Sequence, residues 1–413
     1  MNDQMQDGMA EATRLTREGR LEEATAVIQR ALWGRFAPGT MPDVLDETEG
    51  PIETARRASK GAAQTTSPPQ PGQTGHALRR APGPSRRFRG VSRPPCTTPG
   101  AGLLTSPTVA PGGRFVERSY ANRAGTRDYK LYVPGGYVGQ EVPLIVMLHG
   151  CTQSPDDLAA GTRMNALAEE HTFLVAYPAQ AQGANMNKCW NWFKGADQQR
   201  GRGEPSIIAG ITCEVLGEYR VDPGRVYVAG MSAGGAMAAI MGTTYPDLYA
   251  AIGVHSGLAP GAADDLSSAF SAMQGGGPAD PRRGAPTGEP PRTVPAILFH
   301  GDRDNTVHPR NADHLLAHHR GVTGVPTAEP TTSRGQVPGG YAYTRATYHD
   351  ADGRAVVERW TVHGLGHAWS GGILPGSYTD PRGPDASAEM VRFFHEHSRG
   401  KRCSARPSER GSH

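Results

Sequence analysis

The chain has 413 residues, with 43 Lys and Arg against 40 Asp and Glu, and a formal net charge of +3. This charge is too small to indicate a nucleic-acid partner, and five cysteines are too few for a disulfide-rich scaffold. The 54 glycines and 35 prolines, with a mean hydropathy of -0.51, indicate that part of the chain stays outside any packed core.

Residues 1–36 are predicted to form a helical hairpin, because apolar residues recur at roughly helical intervals from Leu15 to Leu32, interrupted by Gly19. The charged N-terminus lacks the apolar stretch of a secretory signal, so the sequence alone predicts a cytoplasmic protein. No window reaches the ~18 apolar residues of a membrane span, and none is expected.

Residues 37–112 are predicted to be a disordered linker, since Pro, Gly, Ser, Thr and Arg dominate and apolar periodicity is nearly absent. A basic cluster surrounds Phe88, and its members are Arg79, Arg80, Arg86, Arg87, Arg89 and Arg93. The cluster either contacts a polyanion or a charged particle surface, or belongs to a solvated linker.

From residue 113 onward, strand-like and helix-like segments alternate, which predicts an α/β fold with a mostly parallel central sheet flanked by helices. We assign residues 113–398 to this domain and residues 399–413 to a disordered tail. The last predicted helix opens at Asp385, a residue type favoured at helix N-caps.

A G-x-S-x-G run, Gly230 to Gly234, lies between the buried-type strand RVYVA and a helix rich in small residues. A strand that turns this sharply into a helix needs residues without bulk two positions before and after the serine. The serine then projects into a cleft above a helix N-terminus, which favours developing negative charge. Ser232 is therefore the candidate nucleophile of an acyl-enzyme mechanism.

A serine nucleophile needs a histidine base, and the histidine needs a carboxylate that fixes its tautomer. In α/β hydrolases the chain order is serine, acid, histidine. Downstream of Ser232, the strand PAILFHG leads into a loop with two carboxylates. Asp304 is the candidate acid, and Asp302 is the competitor whose alternative role is to brace the turn or to pair with Arg303.

The candidate base is His367, in the loop that follows the last predicted strands. His363 ends the preceding strand and is expected to make a structural hydrogen bond. His300 and His308 precede or flank the acid and would break the chain order.

Two backbone N–H groups are needed to bind the oxyanion that forms on attack. In this architecture one donor is the residue after the nucleophile, which is Ala233. The other comes from a loop after an early strand, where the LHGCTQ segment supplies Cys151. His149 lies before Ser232 in the chain and is expected only to support this loop.

Together these residues resemble the poly(3-hydroxybutyrate) depolymerase-family esterases, a group similar to feruloyl and acetylxylan esterases. The resemblance covers roughly residues 113–398. It rests on LHGCTQ at 148–153, NKCWNWF at 187–193, GMSAGGAM at 230–237, HGDRDNTV at 300–307 and GLGHAWSGG at 364–372.

The resemblance implies a serine esterase that hydrolyses short-chain hydroxyacid polyesters or oligomers, with no metal or organic cofactor. Trp190, Trp192 and Trp369 are candidate substrate-binding residues, because exposed tryptophans form apolar walls for acyl chains. If the first two alternate on an extended segment, only one faces the substrate, and Trp369 either shields the imidazole or packs. Cys151 and Cys189 form a disulfide between their loops or remain two buried thiols.

The resemblance points to an extracellular enzyme, whereas the N-terminus points to the cytoplasm. A separate polymer-binding module is not evident, so the N-terminal arm, residues 1–112, is a candidate for contact with a polymer granule. The alternatives are a feruloyl or acetylxylan-type carboxylesterase, or a non-catalytic hydrolase-fold binding protein.

Overall fold

The computed structural model describes residues 110–275, 294–323 and 329–399. The helical segment predicted for residues 1–36 and nearly all of the predicted linker and tail lie outside the described residues. The described residues belong to the unit Leu104–His413. No helix in these three stretches is long and apolar enough to cross a membrane.

The strands of the described part are β1 (Arg114–Asn122), β2 (Gly125–Val133), β3 (Val142–Leu148), β4 (Leu174–Pro178), β5 (Val221–Met231), β6 (Ala251–His255), β7 (Ala296–Gly301), β8 (Thr331–Gln336), β9 (Ala342–His349), β10 (Ala355–His363), β11 (Trp369–Ser370) and β12 (Thr379–Asp380). Ten of them form one sheet in the order β1-β2-β4-β3-β5-β6-β7-β10-β9-β8, and β11 pairs with β12. The pairs from β4 through β10 are parallel, whereas β1, β2, β9 and β8 join antiparallel.

The helices are α1 (Pro155–Thr162), α2 (Met164–His171), α3 (Gly203–Glu218), α4 (Ala233–Thr244), α5 (Leu266–Gly275), α6 (Arg310–Thr323) and α7 (Ala386–Glu396), with a short 3₁₀ turn at Gly195–Gln198. They cover both faces of the sheet. Apolar residues of α3, α4, α5 and α6 share one core with alternate residues of β3. Apolar residues of α1, α2 and α7 share the opposite core with the intervening residues of β3. This arrangement confirms the predicted α/β fold.

Strand β3 shows why the layers form. All seven of its residues are buried, as expected for a strand that is covered on both faces. Leu144 and Val146 point into one core, while Ile145 and Met147 point into the other. The parallel strands end at one edge of the sheet, which is where α/β folds place their ligand sites.

Two local features refine the predicted helices. The segment DLAAGTRMNALAEEH forms two helices separated by Arg163, whose φ of 56° is left-handed. The final helix begins as predicted, with the Asp385 carboxylate accepting a hydrogen bond from the Ala388 N–H at 3.0 Å.

Candidate active site

Ser232 lies at a sharp turn between β5 and α4, with φ 56° and ψ -120°. A left-handed conformation at a non-glycine residue is strained and occurs mainly at functional sites. A Cβ at Gly230 would come within 2.4 Å of the Gly234 oxygen, and one at Gly234 within 2.1 Å of the Leu148 oxygen. The two glycines of the G-x-S-x-G run are therefore required for this turn.

The structure brings Asp304 and His367 together. The His367 Nδ1 lies 2.8 Å from the Asp304 Oδ2, although the residues are 63 positions apart. The other oxygen of Asp304 accepts the N–H groups of Thr306 at 2.9 Å and Val307 at 2.8 Å. Because a carboxylate only accepts hydrogen bonds, Nδ1 carries the proton and Nε2 of His367 is left as a base.

Asp304 is buried, with 2% of its surface exposed. Burial alone would raise its pKa, but the charge of His367 and hydrogen bonds from His300 and His367 outweigh burial and hold the pKa well below its ordinary value. The His300 Nε2 lies 3.4 Å from the Asp304 Oδ2 and 2.8 Å from the Val307 carbonyl oxygen. Asp304 therefore stays ionised beside the histidine that it orients.

Asp302 pairs with a different histidine. Its Oδ2 lies 2.9 Å from the His363 Nδ1, and its Oδ1 accepts the Gly364 N–H at 2.8 Å. The His363 Nε2 is 2.9 Å from the Thr344 hydroxyl. Both side chains of the Asp302–His363 pair are exposed. This pair ties the loop that follows β7 to the end of β10, and it shares no residue with the Asp304–His367 pair.

The loop that carries Cys151 packs against the serine. A Cβ placed on Gly150 would lie 3.5 Å from the Ser232 Cβ, so the two segments are in close contact. Ala233 is the first residue of α4, where a backbone N–H has no partner within the helix. Across the described part of the chain, the Cys151 N–H donates no hydrogen bond. Both candidate oxyanion donors are thus free of competing partners within that part.

His149 holds the candidate oxyanion loop through hydrogen bonds of both ring nitrogens. Its Nε2 accepts the Gln180 N–H at 3.0 Å, so Nδ1 carries the proton and donates to the Gly150 oxygen at 2.7 Å. Burial lowers the pKa of His149 to about 4, which keeps the ring neutral. The Gly150 oxygen and the Cys151 N–H belong to one peptide unit, so fixing the first orients the second.

A disulfide joins Cys151 to Cys189, which decides between the two alternatives left open by the sequence. The same loops are tied by a hydrogen bond from the Thr152 N–H to the Asn187 oxygen at 2.6 Å. Gln180 adds a further link, since its side-chain amide donates to the Cys189 oxygen at 2.8 Å. The candidate oxyanion loop is therefore cross-linked to the CWNWF segment.

The three tryptophans singled out as substrate-binding residues are buried, with 0%, 5% and 1% of Trp190, Trp192 and Trp369 exposed. Trp190 and Trp192 belong to the core that also contains the apolar residues of α3, and Trp369 donates its indole N–H to Ser387 at 3.0 Å. The three rings are almost entirely removed from solvent, which indicates a packing role, and contact of any of them with a substrate stays a prediction. The bulky apolar character that suggested substrate binding equally suits a core.

Sequence reasoning missed the polar residues that support the site. Glu204 accepts hydrogen bonds from the backbone and side chain of Asn191 at 2.7 Å each, and contacts Gln180 and Arg127. Gln153 accepts the Gly150 N–H at 2.9 Å. The LHGCTQ motif contained Gln153 as a signal, whereas nothing in the spacing of Gln180 and Glu204 indicated that they meet. No group of three or more potential metal-binding side chains occurs among the described residues.

Comparison with known proteins gives a family-model match and several similar relatives. Residues 127–337, just over half of the chain, match the family model described as esterase PHB depolymerase. Poly(3-hydroxyalkanoate) depolymerase C of Paucimonas lemoignei is 33% identical over 255 residues, which are 60% of this chain and 60% of that protein. Feruloyl esterase B of Neurospora crassa is 32% identical over 245 residues, covering 56% of this chain and 80% of that protein.

Acetylxylan esterases also match. Probable acetylxylan esterase A of Neosartorya fischeri is 29% identical over 233 residues, covering 53% of this chain and 61% of that protein. The chain thus spans about three fifths of the length of the depolymerase and of this acetylxylan esterase. The solved acetyl xylan esterase from Aspergillus awamori superposes with a TM-score of 0.55 at 22% identity, covering 69% of this chain and 99% of that one. That superposition supports the fold.

Proposed function

Because the chain belongs to the esterase PHB depolymerase family, we propose that it is a carboxylic ester hydrolase that uses Ser232 as its nucleophile. One observation carries the proposal. The buried Asp304 carboxylate orients the Nδ1 of His367, while Ser232 occupies a strained strand-to-helix turn. A histidine with a fixed tautomer and a serine at such a turn are the parts that acyl transfer from an ester requires.

In the first half of the reaction, the Ser232 hydroxyl attacks the ester carbonyl while the His367 Nε2 takes its proton. The protonated imidazole then returns that proton to the leaving alcohol, and an acyl-enzyme remains on Ser232. The ionised Asp304 stabilises the imidazolium that forms in between. In the second half, His367 activates water in the same way, and the acid is released.

The negative charge on the tetrahedral intermediate is bound by the N–H groups of Cys151 and Ala233. Both donors are fixed before the substrate arrives, Ala233 by its position at the start of α4 and Cys151 by the links of its loop. Preorganised donors cost no rearrangement as charge develops, which is the largest contribution in many acyl transfers.

We further propose that the substrates are short-chain hydroxyacid polyesters or their oligomers. The support is the 33% identity with a poly(3-hydroxyalkanoate) depolymerase. A feruloyl or acetylxylan-type carboxylesterase is the second candidate, because the chain spans 80% of the feruloyl esterase and only 60% of the depolymerase. Both candidates use the same Ser232, Asp304 and His367, and differ in the acyl group that the site accepts.

A substrate panel separates these proposals. The full chain is incubated with p-nitrophenyl butyrate, then with 3-hydroxybutyrate oligomers, methyl ferulate and acetylated xylan, beside the Ser232→Ala variant. We expect hydrolysis of the butyrate ester and the highest kcat/KM on the oligomers. A preference for methyl ferulate or acetylated xylan would favour the second candidate. No hydrolysis of any ester would favour a binding protein with a hydrolase fold.

A further inference from the structure

His255 is a fully buried histidine that the proposed mechanism does not use. It is the last residue of β6, where it pairs with Met231, the residue before the candidate nucleophile. None of its surface is exposed. A buried polar ring is costly unless its nitrogens are hydrogen-bonded, so its partners indicate why it is tolerated there.

The backbone of His255 contacts the nucleophile turn. Its carbonyl oxygen accepts the Ser232 N–H at 2.9 Å. The hydrogen bond holds the serine backbone in its left-handed conformation and leaves the neighbouring Ala233 N–H as the donor for an oxyanion.

The ring of His255 contacts the loop that carries the base. Its Nε2 accepts the Ser370 N–H at 3.0 Å, three residues beyond His367. The proton therefore sits on Nδ1, which lies 3.2 Å from the Ser256 hydroxyl. The ring stacks on Trp369 with centroids 5.0 Å apart, and on Phe299 of β7 at 5.8 Å.

The electrostatic surroundings keep this ring neutral. Burial, followed by the charges of His300 and His367, lowers the pKa of His255 to about 3. A neutral imidazole keeps a lone pair on Nε2, which the Ser370 N–H needs as its acceptor.

We propose that His255 is a positioning residue, which holds the loop that carries His367 at its working distance from Ser232. One residue joins the two parts: its carbonyl oxygen holds Ser232, and its ring holds the segment Trp369–Ser370 that follows His367. The inference rests on the proposed function, since it assumes that Ser232 and His367 react together. It adds a residue outside the Ser232, Asp304 and His367 set.

Two substitutions test the aromatic ring of His255 and its hydrogen-bond acceptor atom separately. His255→Phe keeps an aromatic ring between Trp369 and Phe299 but removes the acceptor for the Ser370 N–H. His255→Gln gives up the ring but retains a side-chain carbonyl that reaches about as far as Nε2. Neither substitution changes the backbone carbonyl that holds Ser232.

We expect His255→Phe to lower kcat on p-nitrophenyl butyrate by about 10²-fold, the order of loss for a small misplacement of reacting groups, with KM changed less than about threefold. The acidic limb of the pH profile of kcat/KM, which reports the base, should also move. His255→Gln should recover most of kcat and restore the limb. A merely structural role would lower stability without moving the pH profile.

His397→Phe is the matched control. The ring nitrogens of His397 lie 2.7 Å and 2.6 Å from the carbonyl oxygens of Phe393 and Ala355, at the end of α7, so this histidine is hydrogen-bonded but, within the described residues, makes no hydrogen bond to Ser232 or the loop of His367. It should lower the melting temperature and leave the pH profile unchanged. Wild-type kcat and pH profile in folded His255→Phe would overturn the inference, as would an equal loss in both His255 variants. If His255→Phe does not fold, a 10²-fold loss in folded His255→Gln would overturn it. Activity that survives Ser232→Ala in the same assay would instead contradict the proposed function.

Discussion

Two carboxylates of one loop face two different histidines, and burial separates their roles. Asp304 is buried against His367, whereas Asp302 is exposed against His363. Replacing Asp304 with Asn should lower kcat by about 10⁴-fold, because an amide can hold the imidazole in the wrong tautomer. Steady-state kinetics on p-nitrophenyl butyrate measures this loss.

Asp302→Asn is the matched control for that measurement. The two substitutions are chemically identical and lie two residues apart, but each removes the carboxylate from a different histidine. We expect Asp302→Asn to change kcat less than about tenfold. A larger loss from Asp302→Asn than from Asp304→Asn would contradict the assignment of the acid.

Ser232→Ala should abolish hydrolysis without unfolding the protein. The substitution removes only a hydroxyl, and the strained backbone turn is held by the glycines and by the His255 carbonyl. The expected loss in kcat is on the order of 10⁶-fold, as for other triad nucleophiles. Circular dichroism checks the fold, and near-wild-type turnover in a folded variant would refute the role of Ser232.

At the scale of single residues, sequence indicates chemistry better than exposure. The sharp turn at Ser232 and the contact between Asp304 and His367 were predictable because the chain order and neighbours of these residues follow a pattern. The burial of Trp190 was not, since a large aromatic residue suits both a substrate wall and a core. His255 carried no motif, because its role depends on Ser370, which is 115 positions away.

Among the elements, the candidate oxyanion loop depends on its link to the CWNWF segment. Closing a loop of 38 residues by the Cys151–Cys189 disulfide stabilises the fold by about 3–4 kcal/mol in the chain-entropy model. Cys189→Ser should lower the free energy of unfolding by about 2–4 kcal/mol. It should also lower kcat more than it raises KM, because the Cys151 N–H is less firmly held. Denaturant unfolding and steady-state kinetics measure the two effects.

Cys213→Ser is the control, since this thiol on α3 is exposed and forms no disulfide. It should leave both stability and kcat unchanged. Adding a reductant should affect the wild type and Cys213→Ser alike, and should have no further effect on Cys189→Ser. Unchanged kcat in Cys189→Ser would show that the disulfide does not contribute to oxyanion binding.

Asp197 is a carboxylate with a raised pKa, and it contacts Glu204, which holds Asn191 of the CWNWF segment. Burial, followed by the charge of Glu204, raises the pKa of Asp197 to about 6, against an ordinary value near 3.8. Between these values the folded chain holds a proton that the unfolded chain releases, so stability falls as pH rises from about 4 through about 6. Asp197→Asn should therefore gain on the order of 1–2 kcal/mol at pH 7.5 and little at pH 4.

Denaturant unfolding at both pH values measures this gain, with the exposed Asp352→Asn as the control. The amide oxygen can still accept the Glu204 N–H that the Asp197 Oδ1 accepts at 2.7 Å, so the substitution removes charge and little else. A loss of stability at pH 7.5, or an equal gain at both pH values, would contradict the account.

Elements with apolar periodicity were predictable, and polar ones were not. Strand β8, TTSRGQ, is almost wholly exposed and carries no alternating pattern, so only its pairing with β9 makes it a strand. Helix α5 lies next to residues rich in Gly and Pro, a composition that favours a loop over a helix. The break at Arg163 depends on one left-handed residue, which propensity does not reveal.

At the scale of the whole molecule, all residues of the proposed site lie in the part of the chain that forms the sheet and its helices. A chain that begins at residue 113 keeps β1 and β2, and therefore all ten strands of the described sheet. We expect its kcat/KM on p-nitrophenyl butyrate to stay within about threefold of the full chain, since the proposed site lies beyond residue 148. Kinetics on matched preparations of the two chains checks this.

The same truncation tests the proposed contact between the N-terminal arm and a polymer granule. Removing residues 1–112 deletes the basic cluster around Phe88, so adsorption to polyester particles should fall while soluble-ester hydrolysis persists. Unchanged adsorption would remove the docking role. A large loss on the soluble ester would show that the arm takes part in the active fold.

The most direct test of the central claim is covalent trapping of the nucleophile. The full chain is incubated with a p-nitrophenyl alkylphosphonate, and the modified residue is identified by intact and peptide mass spectrometry. We expect one adduct per chain, on Ser232, with complete loss of p-nitrophenyl butyrate hydrolysis and no adduct in Ser232→Ala. An adduct on another residue, or hydrolysis that persists in the fully modified protein, would contradict the role of Ser232 as the nucleophile.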